Sequence, residues 1–126
     1  MKKVAAAVLG ACGVVSLAFA ADTLGTWQPL KTASYKIFSG ESVADAQAPT
    51  ATNRKLSIVV DGQAAKEIFD SIGPDERDAC SSTKGDRERN NGAVQCMYTT
   101  NNPGKGYRCW VGVDLVNGKG IPTVSC

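Results

Sequence analysis

Two charged runs in the middle of the chain are the first candidates for chemistry, because each sets carboxylates beside arginines. The first run comprises Asp75, Glu76, Arg77 and Asp78, and the second comprises Lys84, Asp86, Arg87, Glu88 and Arg89. A general acid needs a carboxyl group whose pKa is raised, whereas a neighbouring guanidinium group lowers that pKa. The pattern therefore favours a solvated charged loop, and a carboxylate-dependent hydrolase is the less favoured alternative.

The sequence offers little other catalytic machinery. It contains no histidine, and its serines lie in neither a G-x-S-x-G nor an S-x-x-K setting. No run of spaced oxygen ligands resembles a calcium-binding loop. The sequence thus predicts a protein that is not an enzyme, with no catalytic residue, metal ligand or cofactor assigned.

The cysteines are better explained as structural than as reactive. Cys80, Cys96, Cys109 and Cys126 form an even set in a short chain, which is the usual pattern of disulfide bonds in exported proteins. A zinc site is the alternative, but the chain has no C-x-x-C pair that could supply two ligands. We therefore expect two disulfide bonds and no free thiolate.

The N-terminus has the features of a bacterial signal peptide. Lysines at positions 2 and 3 precede an uncharged apolar run that ends in Ala18-Phe19-Ala20. A signal peptidase recognises small residues in this arrangement, so residues 1–20 are predicted to be removed before Ala21. A lipid anchor on Cys12 is a disfavoured alternative, because the apolar run continues well beyond that residue. The expected location is periplasmic or secreted, without a membrane span.

Removal of this segment changes the charge balance. The full chain carries 14 lysines and arginines against 12 aspartates and glutamates, and the loss of Lys2 and Lys3 makes the two counts equal. A nucleic-acid-binding domain is expected to show a marked basic surplus. The neutral mature chain therefore argues against nucleic acid as a partner, and against general attraction to a membrane.

After the signal peptide, length and composition predict one domain. Residues 21–34 are polar and irregular and form a lead-in, while residues 35–126 form a single α+β domain with a modest core. Alternating and β-branched runs indicate its strands. Strands are expected at residues 35–38, 55–60, 93–100, 107–115 and 121–126, with a further short one near Arg87.

One helix is predicted, after the second strand. Apolar residues recur at helical spacing from Gln63 to Ile72, and Asp61 is positioned to cap the first turn. Lys66 and Asp70 lie four residues apart and can pair on the exposed side. The fold class is therefore α+β: a small antiparallel sheet with C-terminal hairpins and one packed helix, stapled by two disulfides.

The Asn117-Gly118 pair is the most specific turn signal, because a two-residue type I′ turn needs positive φ at both positions. Such a turn places Cys109 opposite Cys126 in a pair without backbone hydrogen bonds, where the Cα atoms approach most closely. Cys80 then pairs with Cys96 by elimination and closes the polar loop between them. Pairing of Cys96 with Cys109 across the preceding hairpin is the alternative.

Trp110 lies by alternation on the face of its strand opposite Cys109, together with Arg108 and Asp114. It is expected to be either exposed or covered by the predicted helix. Packing against the helix is the favoured of the two. In that case both faces of the sheet are partly buried.

A resemblance to small exported bacterial proteins of mostly unknown function extends over about two thirds of the chain. It is carried by the stretch from Arg54 through Asp75, by Cys109, by the strand Gly112-Val113-Asp114-Leu115 and by the terminal cysteine. The resemblance brings no catalytic residue. The architecture is also loosely similar to periplasmic inhibitors of lysozyme and to immunity proteins that block toxins in the envelope, which implies an inhibitor or immunity-type role.

The functional hypothesis rests on the missing catalytic groups and on the charged loop. A loop held at its base by a disulfide loses less entropy on binding than a free loop, and arginines are common interface anchors. We therefore predict a non-enzymatic periplasmic binding module that contacts another protein in the envelope. The predicted contact residues are Lys84, Asp86, Arg87, Glu88 and Arg89. An envelope structural or stress factor is the alternative.

Overall fold

The computed structural model describes residues 25–122, so the predicted signal peptide, the start of the lead-in and most of the last predicted strand lie outside the described residues. Six elements follow in order: β1 (Ala33–Phe38), β2 (Lys55–Asp61), α1 (Gly62–Ser71), β3 (Arg87–Asn91), β4 (Val94–Thr99) and β5 (Gly106–Asp114). The predicted α+β class is confirmed by one antiparallel sheet and one helix within this range. No helix among residues 25–122 is long and apolar enough to cross a membrane.

The five strands are arranged in the order β1-β2-β5-β4-β3. The long strand β5 lies in the centre, with β2 on one side and β4 on the other, and every pairing is antiparallel. Its apolar and β-branched sequence suits a position with neighbours on both sides. Strands β1 and β3 are therefore the two edges of the sheet.

Helix α1 follows β2 directly and covers one face of the sheet. Its buried residues Ala65 and Phe69 lie four positions apart and so share one side of the helix. They form the main core with Val60, Cys96 and Cys109. The helical spacing seen in the sequence is thus explained by packing on β2, β4 and β5.

Two side-chain roles predicted for the helix have different outcomes. The Lys66–Asp70 ion pair is confirmed on the exposed side of α1. Asp61 occupies the N-cap position but makes no side-chain capping bond, so that prediction is wrong. Its carboxylate lies 2.6 Å from Nε of Arg108, the residue directly opposite on β5. A guanidinium group is a stronger partner for a carboxylate than a backbone amide, which explains the difference.

The other face of the sheet has a smaller core. Phe38, Val43 and Ile121 are buried there, and Trp110 packs against them. The favoured prediction that Trp110 packs against the helix is therefore wrong. The side chain of Cys109 lies on the face of β5 that α1 covers. Because successive side chains of a strand point to opposite faces, Trp110 lies on the face away from the helix. Both faces of the sheet are partly buried, as expected.

A disulfide bond joins Cys96 on β4 to Cys109 on β5. The two residues are directly opposite in the ladder, and their Cα atoms are 4.0 Å apart. The predicted Cys109–Cys126 and Cys80–Cys96 bonds are therefore wrong, and the Cys96–Cys109 alternative is confirmed. This is the one disulfide bond seen between two of the described residues, and the second predicted bond is not shown within residues 25–122.

The turn at Asn117-Gly118 explains why the predicted pairing fails. Among the described residues only glycines have positive φ, so Asn117 cannot begin a type I′ turn. Instead, Oδ1 of Asp114 accepts hydrogen bonds from the backbone amides two and three residues ahead, at 2.8 and 3.3 Å. The loop becomes four residues long, and Val113 lies opposite Gly120. The register of the last hairpin is thus shifted by two residues from the prediction.

Candidate functional site

The residues predicted to bind a partner lie at one corner of the sheet. Arg87, Glu88 and Arg89 belong to β3, Asp86 immediately precedes this strand, and the exposed Lys84 lies in the loop before it. Successive residues of a strand point to opposite faces. The two arginines therefore face the α1 side and Glu88 faces the other side, so the predicted residues do not form one surface.

The two arginines share the carboxylate of Asp75. Arg87 donates through Nε at 2.7 Å and a terminal nitrogen at 3.1 Å, and Arg89 donates through Nε at 2.7 Å. Their Cζ atoms lie 5.0 and 4.3 Å from the ring centroid of Phe69. Arg89 also donates to the carbonyl oxygens of Phe69 at 2.8 Å and Ile72 at 3.2 Å. Arg89 thus caps the end of α1 and joins the helix to β3.

This cluster predicts a pH dependence of stability. Hydrogen bonds from Arg87 and then Arg89 lower the pKa of Asp75 from 3.8 to about 2, because they favour the charged carboxylate. A carboxyl group with a depressed pKa in the folded state stabilises the fold above its ordinary pKa and loses this effect as the pH falls. We therefore expect Asp75→Asn to be less stable than the wild type near neutral pH, and the gap to close as the pH falls from about 4 to about 2.

Urea unfolding midpoints across this pH range test the expectation. Asp78→Asn is the matched control, because Asp78 is exposed and makes no ion pair within residues 25–122. The difference in urea midpoint between Asp78→Asn and the wild type should stay small over the whole pH range. If the difference in urea midpoint between Asp75→Asn and the wild type did not change with pH, the assigned role of the carboxylate would be contradicted.

Asp86 organises the loop before β3. Its carboxylate accepts from the Ser81 hydroxyl at 2.7 Å and from the amide and hydroxyl of Thr100, both at 2.8 Å. These hydrogen bonds, led by that of Ser81, lower the pKa of Asp86. The loop is thereby tied to the residue that follows β4.

Glu88 is a buried carboxylate, with 5% of the residue exposed. It accepts hydrogen bonds from the amide of Cys80 at 2.8 Å and from the side chain of Gln95. Its backbone carbonyl oxygen accepts from the amide of Glu76 at 2.8 Å. Glu88 therefore positions the preceding loop along the outer edge of β3.

Two cavities lie on the helix-free side of the sheet, and Trp110 contributes to both. Its neighbours across the ladder are Val59 on β2 and Gln95 on β4. Trp110 itself is half-buried, so part of the indole ring remains accessible between the cavities. We call this surface the Trp110 face; it is formed by Ser57, Val59, Met97, Lys105, Arg108 and Trp110.

The larger cavity has a volume of about 410 Å³ and lies beside the β4–β5 turn. The side chains of Met97 and Trp110 provide the apolar wall, and Lys105 lies at the turn. The ion pair of Arg108 with Asp61 completes the lining. The volume lies within the range of ligand-binding clefts in natural proteins, and the lining mixes apolar with charged side chains.

The smaller cavity has a volume of about 230 Å³ and lies between β1, β2 and β5. Val43 and Val59 line it, together with Trp110 and Ser57. Ser57 is 2% exposed, and its Oγ has no hydrogen-bond partner among the described residues. A buried hydroxyl without a partner is unfavourable by about 1–3 kcal/mol. The cavity therefore combines apolar walls with one unused hydrogen-bonding group.

The surroundings of several described carboxylates favour the charged form. Each aspartate with a shifted pKa within residues 25–122 is shifted downward. The main causes are the amide of Ser42 for Asp45, Lys66 for Asp70, Arg87 for Asp75 and the Ser81 hydroxyl for Asp86. Such carboxyl groups are poor proton donors near neutral pH. Over the same range, no three histidine, cysteine or carboxylate side chains are grouped as metal ligands.

Sequence reasoning missed the Trp110 face. The available signal was the alternation of β5, which places Arg108 and Trp110 on one side. That signal separates the two faces of a strand, but it does not say which face the helix covers. The cavities form only on the face that the helix leaves uncovered, so alternation alone could not predict them.

Comparisons with known proteins assign no family to the chain. No protein-family model, curated protein or solved structure matches it.

Proposed function

We propose that the protein is a non-enzymatic binding module of the bacterial envelope that recognises another protein through the Trp110 face. The observation that carries the proposal is the presence of two cavities beside one half-buried tryptophan. Tryptophan and arginine are the side chains that most often anchor protein interfaces. Apolar side chains of the partner enter the cavities, and the exposed Arg108–Asp61 pair at the rim orients it.

The charged loop is a weaker candidate for the same role. A partner that engaged Arg87 or Arg89 would compete with Asp75, and at Arg89 also with the last carbonyl groups of α1. Binding there would therefore disturb contacts that hold the fold together. On the Trp110 face, the side chain of Lys105 is exposed and makes no ion pair among residues 25–122.

The proposal includes export and a second disulfide bond. Residues 1–20 act as the signal peptide, and the mature protein is periplasmic or secreted. Because Cys96 and Cys109 are bonded to each other and Cys12 leaves with the signal peptide, Cys80 pairs with Cys126. An inhibitor or immunity-type role is the activity that such a stapled module would perform.

Site-specific photo-crosslinking in cells that export the protein tests which surface meets a partner. A photoreactive amino acid is placed singly at Lys105 on the Trp110 face, at Lys84 in the charged loop and at the exposed Gln63 of α1. We expect a discrete adduct from position 105 alone. Arg108→Glu should abolish this adduct, and Arg108→Lys, which keeps the charge, should retain most of it.

Crosslinking at the same three positions can also contradict the proposal. An adduct from position 84 alone would favour the charged loop as the recognition surface. The absence of an adduct from every position would contradict a protein-binding module. Urea midpoints of both Arg108 variants show that any loss of the adduct does not result from unfolding.

A further inference from the structure

The two edge strands of the sheet, β1 and β3, differ in how far other segments of the chain cover them. Along β3, the backbone carbonyl of Glu88 accepts from the amide of Glu76 at 2.8 Å, so the preceding loop covers that edge. At β1, the loop after the strand reaches the edge only at Ser39, whose amide donates to Gln47 at 2.9 Å. Within residues 25–122, the edge from Ala33 to Ile37 has no such covering segment.

The hydrogen bonds to β2 show which backbone groups of β1 point outward. Asp61 donates to the carbonyl oxygen of Thr32 at 3.0 Å, which makes these two a hydrogen-bonded pair. In an antiparallel ladder such pairs alternate with pairs that exchange no bonds. The even-numbered residues of β1 therefore bond to β2. The N–H and C=O groups of Ala33, Tyr35 and Ile37 point away from the sheet.

The outward-bonding residues also present apolar side chains. Tyr35 is 74% exposed and Ile37 is 46% exposed, and both lie on the α1 side of the sheet. Natural edge strands are usually protected by an outward lysine, a proline or a bulge. The lysine of β1, Lys36, points to the other face and its ammonium group donates to the carbonyl oxygen of Asp45. Among the described residues, this edge carries exposed apolar side chains and none of these protections.

We infer that this edge pairs with the same strand of a second copy, so that two five-stranded sheets join across a two-fold axis. Antiparallel pairing centred on Tyr35 places Ala33 of each copy opposite Ile37 of the other. Each of these three pairs exchanges two backbone hydrogen bonds, which satisfies every outward group from Ala33 to Ile37.

The sequence of the edge is self-complementary in this register. The two Tyr35 rings are neighbours at the axis, and the small Ala33 side chain leaves room for Ile37 of the other copy. The mature chain has equal numbers of acidic and basic residues, so net charge does not oppose association. A single strand pair is smaller than a standard stable interface, and the dimer is therefore weak and reversible.

Sedimentation velocity of the oxidised mature protein between about 5 µM and 1 mM tests the inference. We expect the wild type to change from monomer to dimer across this range. Tyr35→Pro removes an outward N–H without removing a bond to β2, and it should weaken association at least about tenfold. Tyr35→Ala is the matched control, because it keeps the N–H group and should retain a measurable dimer.

Tyr35→Lys provides a second test that does not depend on proline. It sets two like charges side by side at the axis, and we expect it to remain monomeric while folding normally. A wild type that stays monomeric up to about 1 mM, or a dimer that Tyr35→Lys leaves unchanged, would overturn the inference. Crosslinking from position 105 on the Trp110 face is read out separately, so either proposal can fail without the other.

Discussion

Replacement of both Cys96 and Cys109 by alanine is expected to lower the free energy of unfolding by about 3 kcal/mol or more. The bond joins residues 13 positions apart, and closure of a loop of that size restricts the unfolded chain by about 3 kcal/mol. Both cysteines are fully buried against Val60 and Phe69, so core contacts are lost as well. Small domains have only about 5–15 kcal/mol of stability in total.

Urea unfolding of the oxidised wild type and of the double variant measures this difference. Tryptic digestion without reduction is the matched control for the connectivity, because cleavage sites separate Cys80, Cys96, Cys109 and Cys126 from one another. We expect fragment 90–105 to be joined to fragment 109–119, and fragment 78–84 to fragment 120–126. A link between 109–119 and 120–126, or a loss of stability below about 1 kcal/mol, would contradict the assignment.

The failed prediction of the disulfide pairing shows where sequence reasoning stops. A cross-strand disulfide is expected at a residue pair that exchanges no backbone hydrogen bonds, and Cys96 and Cys109 follow this rule. In the same ladder, Gly112 and Ala93 form a pair joined by a backbone hydrogen bond. Because the two kinds of pair alternate, the cysteine pair three positions along has no such bond. The rule was applied to the wrong hairpin. Side-chain bonds from Asp114 to the turn amides favour a four-residue loop over the two-residue turn that Asn-Gly suggests.

Elements that depend on local sequence were predicted well. Strand β2 was expected at residues 55–60 and runs from Lys55 to Asp61, while the helix expected at Gln63–Ile72 begins and ends one residue earlier. Their signals are alternation and helical spacing, which short segments contain in full. Boundaries of the other strands were similarly close, apart from the last predicted strand, which lies largely outside the described residues.

Contacts between distant segments were predicted poorly, and the charged loop is the clearest case. Arg87 and Arg89 looked solvated in the sequence because their neighbours are also charged. Their ion-pair partner Asp75 lies 12 and 14 residues away in the sequence. The aromatic ring that their guanidinium groups contact belongs to Phe69, on the helix. Only the order of strands in the sheet brings these residues together, and no local pattern encodes that order. The same limit explains the misassigned side of Trp110.

The structural role of that charged cluster leads to the second large effect, which is expected at Phe69. Phe69→Ala should lower the free energy of unfolding by about 3–5 kcal/mol, because the side chain is fully buried in the main core. Its ring also packs edge-on against Tyr107, with centroids 5.2 Å apart. The guanidinium groups of Arg87 and Arg89 lie over the same ring, so the variant removes their support as well.

Phe69→Leu separates the contribution of the ring from that of volume. Leucine fills most of the space but offers no aromatic face, so we expect a smaller loss of about 1–2 kcal/mol in urea unfolding. In a double-mutant cycle, Arg89→Lys should cost less in the Phe69→Leu background than in the wild type, because part of its interaction is already gone. If the two substitutions were additive, Arg89 would stabilise the fold through Asp75 and the α1 carbonyl groups alone. A loss below about 1 kcal/mol for Phe69→Ala would contradict the placement of α1 on the sheet.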